Sequence, residues 1–300
     1  MRNLNKKAVV CLIVGAAVAG LGLYAKSRIQ TQDGAERSAP TDTESTVKEA
    51  SATTLVSEGR SDAIDWAHLE PRDAESRFLE LRSRAEAGDV VAQRHLAELF
   101  QRCSVFSLSP SNMYSTLDAY ARIRGVSEGA YNGIKKRFAA TCSSVDGGQV
   151  IPQDAYMGWF ERAARQGDPY AKVTLASKNF SNLKANDYQA LARDVVNSAD
   201  PEAIFALGDL LALAPQGADL AEYRSAVTGP YASYAWGIAA CRMGADCGPA
   251  SYRMDSLCIN TGICGSGDYE SAIRTDVVPA GQQESLDKAI GEVQKVVGNK

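Results

Sequence analysis

Apolar residues recur at helical spacing through most of the chain. The first such stripe consists of Ala74, Phe78, Leu81 and Ala85. Its i, i+4, i+7 and i+11 spacing places these side chains on one face of a helix that ends at Gly88. A second stripe begins directly after Asp89. The pattern therefore predicts two helices joined by a tight turn.

The same pattern returns in residues 154–180 and 191–213. In each copy a helix restarts at an Asp-Pro pair, at Asp168-Pro169 and Asp200-Pro201. Asp caps the free amides of a first helical turn, and Pro at the first helical position has a preset φ and no amide that needs a partner. No stretch shows sustained alternation of apolar and polar residues. The predicted fold class is all-α, built from helix hairpins, with little or no sheet.

The spacing of the turns predicts how the hairpins are arranged. Asp168 and Asp200 are 32 residues apart, which suits one helix-hairpin repeat, whereas Asp89 and Asp168 are 79 apart. The longer interval predicts a repeat pair with an insertion at about 103–151, containing one helical piece and a Gly-rich loop. A last hairpin is expected to start at Tyr231. A final amphipathic helix is expected from about 282 to 297.

The N-terminus predicts export. Three basic residues precede an uncharged run at 8–25, which as a helix reaches about 27 Å, close to the hydrocarbon thickness of a bilayer. Two interpretations stay open for residues 1–30: a retained signal anchor, or a signal peptide cleaved after Ala17-Val18-Ala19. The apolar run continues past that motif, which favours the anchor. The chain is then anchored in the inner membrane and faces the periplasm, or is periplasmic or secreted after cleavage.

Residues 31–60 and the following part differ in composition. Ser, Thr, Ala and acidic residues dominate 31–60, with too few large apolar side chains to offset the entropy of ordering the backbone. This segment is predicted to be a disordered tether. Residues 61–300 are predicted to form the helical-repeat domain, with a disulfide-stapled C-terminal part at 231–268.

The cysteines fit an oxidising compartment. Besides Cys11 in the N-terminal run there are six: Cys103, Cys142, Cys241, Cys247, Cys258 and Cys264. An even number in an exported chain indicates disulfides. The last four are spaced Cys-x5-Cys-x10-Cys-x5-Cys, unlike the close pairs of structural zinc sites, and Cys-x-x-Cys is absent. Among three possible connectivities we favour 241–247 with 258–264, and then 103–142 across the insertion.

Two segments resemble the Sel-like repeat, a relative of the tetratricopeptide repeat: AEAGDVVAQRHLAELF (85–100) and WFERAARQGDPYAKVTLA (159–176). The positions that carry the resemblance are Trp159, Phe160, Ala163, Ala164, Gly167, Ala171, Leu175 and Ala176. SADPEAIFALGDLL (198–211) resembles the second half of such a unit, with Ala199 where Gly is usual. The resemblance implies an α-solenoid scaffold whose concave face binds another protein, and it carries over no catalytic residues.

Charge and titratable residues argue against several functions. A net charge of −4 and 7% aromatic residues offer little to nucleic acid. His68 and His95 lack a neighbouring Ser or Cys motif. Four acidic residues at helical spacing are interpreted as a solvated face: Glu75, Glu80, Glu86 and Glu98. We therefore predict no enzyme, no metal and no cofactor.

The predicted function is a membrane-tethered, periplasm-facing scaffold that binds or assembles proteins. The membrane contact is expected through residues 8–25. Candidate contact residues for the protein partner are Tyr156, Trp159 and Tyr170. The alternative is a cell-envelope enzyme that acts on peptidoglycan through paired carboxylates. A deep groove with facing acidic residues would favour that enzyme.

Overall fold

The computed structural model describes residues 71–265 and 267–298. The N-terminal segment 1–30, its apolar run 8–25, the tether 31–60 and His68 lie outside the described residues. The described helices belong to one compact unit, Gly59–Lys300. Within the described ranges the fold is all-α and contains no strand. None of these helices is both long and apolar enough to cross a bilayer.

The α-helices are α1 (Pro71–Glu86), α2 (Val90–Leu108), α3 (Pro110–Arg124), α4 (Glu128–Cys142), α5 (Gln153–Arg165), α6 (Pro169–Lys178), α7 (Ala185–Ser198), α8 (Pro201–Ala212), α9 (Ala232–Arg242), α10 (Tyr252–Thr261), α11 (Tyr269–Ala272) and α12 (Gln283–Val297). Short 3-10 turns connect several of them, and a π-helical turn, Ile273–Val277, follows α11.

Aspartate caps start the second helix of three hairpins, α1–α2, α5–α6 and α7–α8. The Asp89 carboxylate accepts a hydrogen bond from the Ala92 amide at 3.0 Å, and Asp168 accepts one from Ala171 at 2.7 Å. Asp200 accepts from two amides of α8, at 2.9 and 3.1 Å. These bonds satisfy donors that have no partner inside the helix. The prediction that helices start at Asp168-Pro169 and Asp200-Pro201 is confirmed.

The turn before each cap needs a left-handed backbone. Gly88 and Gly167 supply it, with φ of +97° and +102°. Ala199 occupies the same place before Asp200 with φ of +54°. A Cβ in this conformation is strained, so the third turn forms although its residue disfavours it.

Small residues let the helices approach closely. Ala97 of α2, Phe160 and Ala163 of α5, and Ala171 of α6 form one fully buried cluster. In the larger C-terminal core, α8 meets α9 at Gly208. A Cβ built on Gly208 would lie 2.3 Å from the Trp236 Cβ, so only glycine fits at this crossing.

The insertion contains two helices, α3 and α4, rather than the single predicted helical piece. The predicted piece corresponds to α3, and the structure adds α4, which the sequence analysis missed. Tyr131, Ile134 and Phe138 of α4 are buried at a spacing of i, i+3 and i+7. The short stripe lies beside two glycines and a Lys-Lys-Arg run, which concealed it.

The six cysteines pair as the sequence favoured. Sulfur atoms lie at bonding distance in Cys103–Cys142, Cys241–Cys247 and Cys258–Cys264. The first bond joins α2 to the end of α4, and the second closes the turn after α9. The expected start of the last hairpin is confirmed within one residue, since α9 begins at Ala232. The final helix also begins within one residue of its predicted start.

Candidate functional site

A cleft of about 530 Å³ lies among helices α2, α6, α8, α9, α10 and α11. Its lining is mixed, with aromatic rings, three arginines and several carboxylates. The aromatic residues are Tyr170, Phe205, Tyr234, Tyr252 and Tyr269. Ligand sites of about 300–1,000 Å³ with a few polar groups among aromatic walls are typical of folded proteins. This cleft is therefore the candidate site.

Three residues of α2 enter the cleft at successive helical turns: Arg94, Glu98 and Arg102. Side chains four residues apart lie on the same face of a helix. One wall of the cleft therefore presents two arginines with a carboxyl group between them, and each of the three is held differently.

Arg94 is buried and bound to two carboxylates. Its guanidinium lies 3.6 Å from the Asp168 carboxylate and forms a short hydrogen bond to Asp200. The same two aspartates cap α6 and α8, so Arg94 connects the starts of two helix hairpins. Burial opposes its charge, but the surrounding carboxylates raise the pKa of Arg94 above its ordinary value. For Asp168 burial prevails over the attraction of Arg94 and raises the pKa.

Glu98 is mostly uncharged at neutral pH. Burial raises the pKa of its carboxyl to about 8, although Arg94 acts in the opposite direction. Asp209, which enters the cleft from α8, has its pKa raised to about 6, again by desolvation against the pull of Arg253. Perturbed carboxyls that converge on one cleft are a frequent mark of functional sites.

Arg253 closes one side of the cleft in a network. It forms a short ion pair with Glu202, and its guanidinium lies 3.4 Å from the centre of the Phe205 ring. The Glu202 carboxylate also accepts a hydrogen bond from the Asp246 amide at 2.8 Å. This arginine is thus satisfied by groups of the chain itself.

Arg102 is held by rings instead of carboxylates. Its guanidinium carbon lies 4.7 Å from the centre of the Tyr252 ring and 5.5 Å from that of Phe138. The Nε atom is buried and has no hydrogen-bond partner. Among the described residues no carboxylate forms a salt bridge with it. Burial lowers the pKa of Arg102, against the more distant charges of Asp246 and Asp255.

The three candidate contact residues for a protein partner do not lie together in the structure. Tyr170 lines the cleft, with the Arg94 guanidinium 5.8 Å from its ring centre. Tyr156 and Trp159 are half-buried on α5 and pack against hydrophobic clusters outside the cleft, and Arg162 lies over the Trp159 ring at 4.5 Å. The structure places one of the three at the candidate site.

The repeat-signature residues lie mainly in helix packing. Phe160, Ala163 and Ala171 are fully buried, and Gly167 makes the left-handed turn. Trp159, Ala164 and Leu175 pack against the small cluster formed by α2, α5 and α6, and Ala176 packs against the larger core.

The interpretation of Glu98 as part of a solvated face was wrong. Glu75, Glu80 and Glu86 are exposed on α1, but Glu98 is half-buried in the cleft. Glu98 faces the cleft that α2 shares with Tyr170, Glu202 and Tyr252 from distant segments, which the sequence of α2 alone does not reveal. Sequence reasoning also missed Arg94 and Arg102. Their i+4 spacing to Glu98 was the available signal.

No family model, curated protein or solved structure matches this chain. The likeness to Sel-like repeats therefore rests on the quoted residues alone. Within the described ranges no group of three or more His, Cys, Asp or Glu is placed to hold a metal ion.

Proposed function

We propose that this chain is a helical-repeat protein, tethered to the inner membrane and facing the periplasm, whose cleft binds a segment of another protein. The observation that carries the proposal is the cleft itself, a groove of about 530 Å³ whose lining combines aromatic rings with amide, hydroxyl and charged side chains. Tyrosines bury a large apolar area and keep a polar tip, which suits them to protein contacts. Gln101 and Asn260 add amides that can pair with a peptide backbone.

The three hairpins with aspartate caps support the repeat architecture. They share a left-handed residue followed by a capping aspartate at Asp89, Asp168 and Asp200. Stacked hairpins of this kind form a concave surface on which a partner segment lies. The three cysteine pairs support an oxidising compartment.

Site-specific photocrosslinking tests the proposal. A photoreactive phenylalanine analogue replaces Tyr234, which lines the cleft, in the full chain, and envelope extract is irradiated with it. We expect one protein adduct whose crosslinked peptide maps to a defined segment. The matched control carries the analogue at Glu161, which is exposed on α5 and outside the cleft lining. Adducts from both positions, or from neither, would contradict cleft binding.

Glu98 favours a second candidate function, an envelope enzyme that hydrolyses peptidoglycan. A carboxyl that is protonated at neutral pH is suited to act as a general acid, and the ionised Asp209 shares its cleft. Incubation of the full chain with purified peptidoglycan separates the two candidates. Release of soluble fragments that disappears in Glu98→Gln would favour the enzyme, whereas no release from either protein favours binding.

A further inference from the structure

Arginines in and beside the cleft differ in whether this chain supplies their anion. Three hold carboxylates: Arg94 with Asp168 and Asp200, Arg253 with Glu202, and Arg137 with Asp255. Arg102, the fourth, has no such partner among the described residues. Burying a guanidinium without an anion is costly, because its hydration is lost and no ion pair replaces it. The chain nevertheless keeps this arginine in the lining of the cleft.

The surroundings of Arg102 leave a defined part of it free. The Tyr252 and Phe138 rings lie near the guanidinium, at 4.7 and 5.5 Å from its carbon to the ring centres. Rings attract a cation without using its N–H donors. A guanidinium has its donors in one plane and binds a carboxylate through two parallel hydrogen bonds. Its donors are therefore available to an acceptor that enters the cleft.

The charge around Arg102 selects the kind of anion. Besides the three arginines, the lining contains Glu202, Asp209 and Asp246, and also Glu98, which is mostly protonated at neutral pH. Arg94 is already neutralised by Asp168 and Asp200, and Arg253 by Glu202. Arg102 is therefore the arginine of the lining whose charge has no ion-pair partner among the described residues. A single negative charge is accommodated beside Arg102, whereas a dianionic phosphate would be repelled by the nearby aspartates.

We propose that Arg102 is the anchor for a carboxylate of the peptide segment that occupies the cleft. The proposal rests on the proposed binding function and adds the chemistry that the cleft recognises. Gln101 and Asn260 line the same cleft and offer amides to the adjoining peptide backbone. The carboxylate belongs either to the C-terminus of the segment or to an Asp or Glu side chain.

Peptide pools test the anchor on the immobilised full chain. The probes are N-acetylated random hexapeptides without Asp or Glu, prepared with a free C-terminal carboxylate or with an amide, and an amidated pool with one Glu. Retained peptide is measured by mass spectrometry. We expect at least one carboxylate pool to exceed the plain amide pool by about tenfold, as a charged hydrogen-bonded pair provides. The pool that is retained identifies the source of the carboxylate.

Variants make the test specific. Arg102→Met should reduce the preference to within about twofold, and Arg102→Lys, which keeps the charge but loses the fork, should retain part of it. Arg77→Met on exposed α1 is the matched control and should keep the full preference. Thermal melts of each variant identify a folding defect. If Arg102→Met does not fold, the preference measured for Arg102→Lys decides whether Arg102 is the anchor.

Three results would overturn the proposal. Equal retention of all pools, unchanged in Arg102→Met, removes the anchor but leaves cleft binding intact. Retention of no pool removes the proposed peptide-binding function as well. Displacement of bound peptide by inorganic phosphate at concentrations where acetate has no effect would show that the anion selected is not a carboxylate.

Discussion

Arg94 and Arg102 lie eight residues apart on α2, about 12 Å along its axis, in opposite situations. Arg94 is bound by Asp168 and Asp200 and connects two helix starts. Arg102 lies against aromatic rings and has no carboxylate among the described residues. At the first end the chain itself supplies the anions of the arginine, although the Nε atoms of both arginines are buried without a hydrogen-bond partner. At the second end, the N–H donors of the Arg102 guanidinium are available to a ligand.

One residue type therefore serves both structure and recognition on the same helix. An arginine whose anions come from its own fold contributes to stability, and its removal leaves buried charges. An arginine without such anions costs stability and is retained for a ligand. Substitutions at the two ends should therefore separate folding from binding.

Removal of Arg94 should have the largest effect on stability. In Arg94→Met the Asp168 carboxylate, 4% exposed, loses its cation, and we expect the free energy of unfolding to fall by about 3–5 kcal/mol. Chemical denaturation measures it. Adding Asp168→Asn, which keeps a capping oxygen, should recover part of the loss. The exposed ion pair of Arg77 with Glu80 is the control, and Arg77→Met should lower the free energy of unfolding by at most about 1 kcal/mol. Equal losses at Arg94 and Arg77 would contradict the structural role.

Loss of the Cys103–Cys142 disulfide, at the Arg102 end of the cleft, should have the second-largest effect on stability. This bond lies beside Arg102 and joins α2 to α4, which carries Phe138, and it closes a loop with a separation of 39 residues. The double Ala variant should lose about 3–4 kcal/mol, because the unfolded chain gains entropy. The same change at Cys241 and Cys247, separated by 6 residues, should cost about 2 kcal/mol. A larger loss from the shorter loop would contradict this order.

Glu98, midway between the two arginines, should make stability depend on pH. Its folded pKa of about 8 lies above the ordinary value of 4.5. The folded state thus binds a proton that the unfolded state releases, so the contribution of Glu98 to stability is greatest below about pH 4.5 and falls as the pH rises toward 8. Glu98→Gln should remove this slope and be more stable than the parent at pH 8, by on the order of 2 kcal/mol.

Urea denaturation at pH 5 and pH 8 measures this contribution of Glu98. The exposed Glu75→Gln is the control and should follow the parent protein at both values. Parallel behaviour of Glu98→Gln and the parent would show that Glu98 titrates normally.

Ala199→Gly should have the smallest effect, a gain in stability. Ala199 precedes Asp200, the cap held by Arg94, with φ of +54°. Glycine adopts this conformation without strain, so we expect a gain of about 0.5–1 kcal/mol and a melting temperature about 2 °C higher. Ala206→Gly, in the interior of α8, is the control and should lower stability by about 1 kcal/mol. A loss in both variants would contradict the strain at Ala199.

Much of the helical frame was predictable because its signals are local. A capping aspartate acts on amides two or three residues away, so Asp168 and Asp200 identify their helices without reference to the rest of the fold. The disulfide pairing was predictable for a similar reason in the two short loops. The helix α4 was missed because its buried stripe of three residues is short and flanked by glycine and basic residues.

The cleft was not predictable because it depends on contacts between distant segments. Arg94 and Asp200 are 106 residues apart, and the Arg102 guanidinium meets rings from α4 and α10. In the sequence Glu98 resembles the exposed acids of α1. Only the distant segments that line the cleft with it reduce its contact with water and raise the pKa of its carboxyl.

Local patterns along the chain were thus enough to predict the all-α class and the helix starts at Asp168 and Asp200, because capping and periodicity act within a few residues. They favoured the cysteine pairs but did not select them. Tertiary structure alone decided which charges of α2 are neutralised and which are not. Arg94 and Glu98 act on each other as neighbours on one helix, but the aspartates at Arg94, the burial of Glu98 and the rings at Arg102 come only with folding.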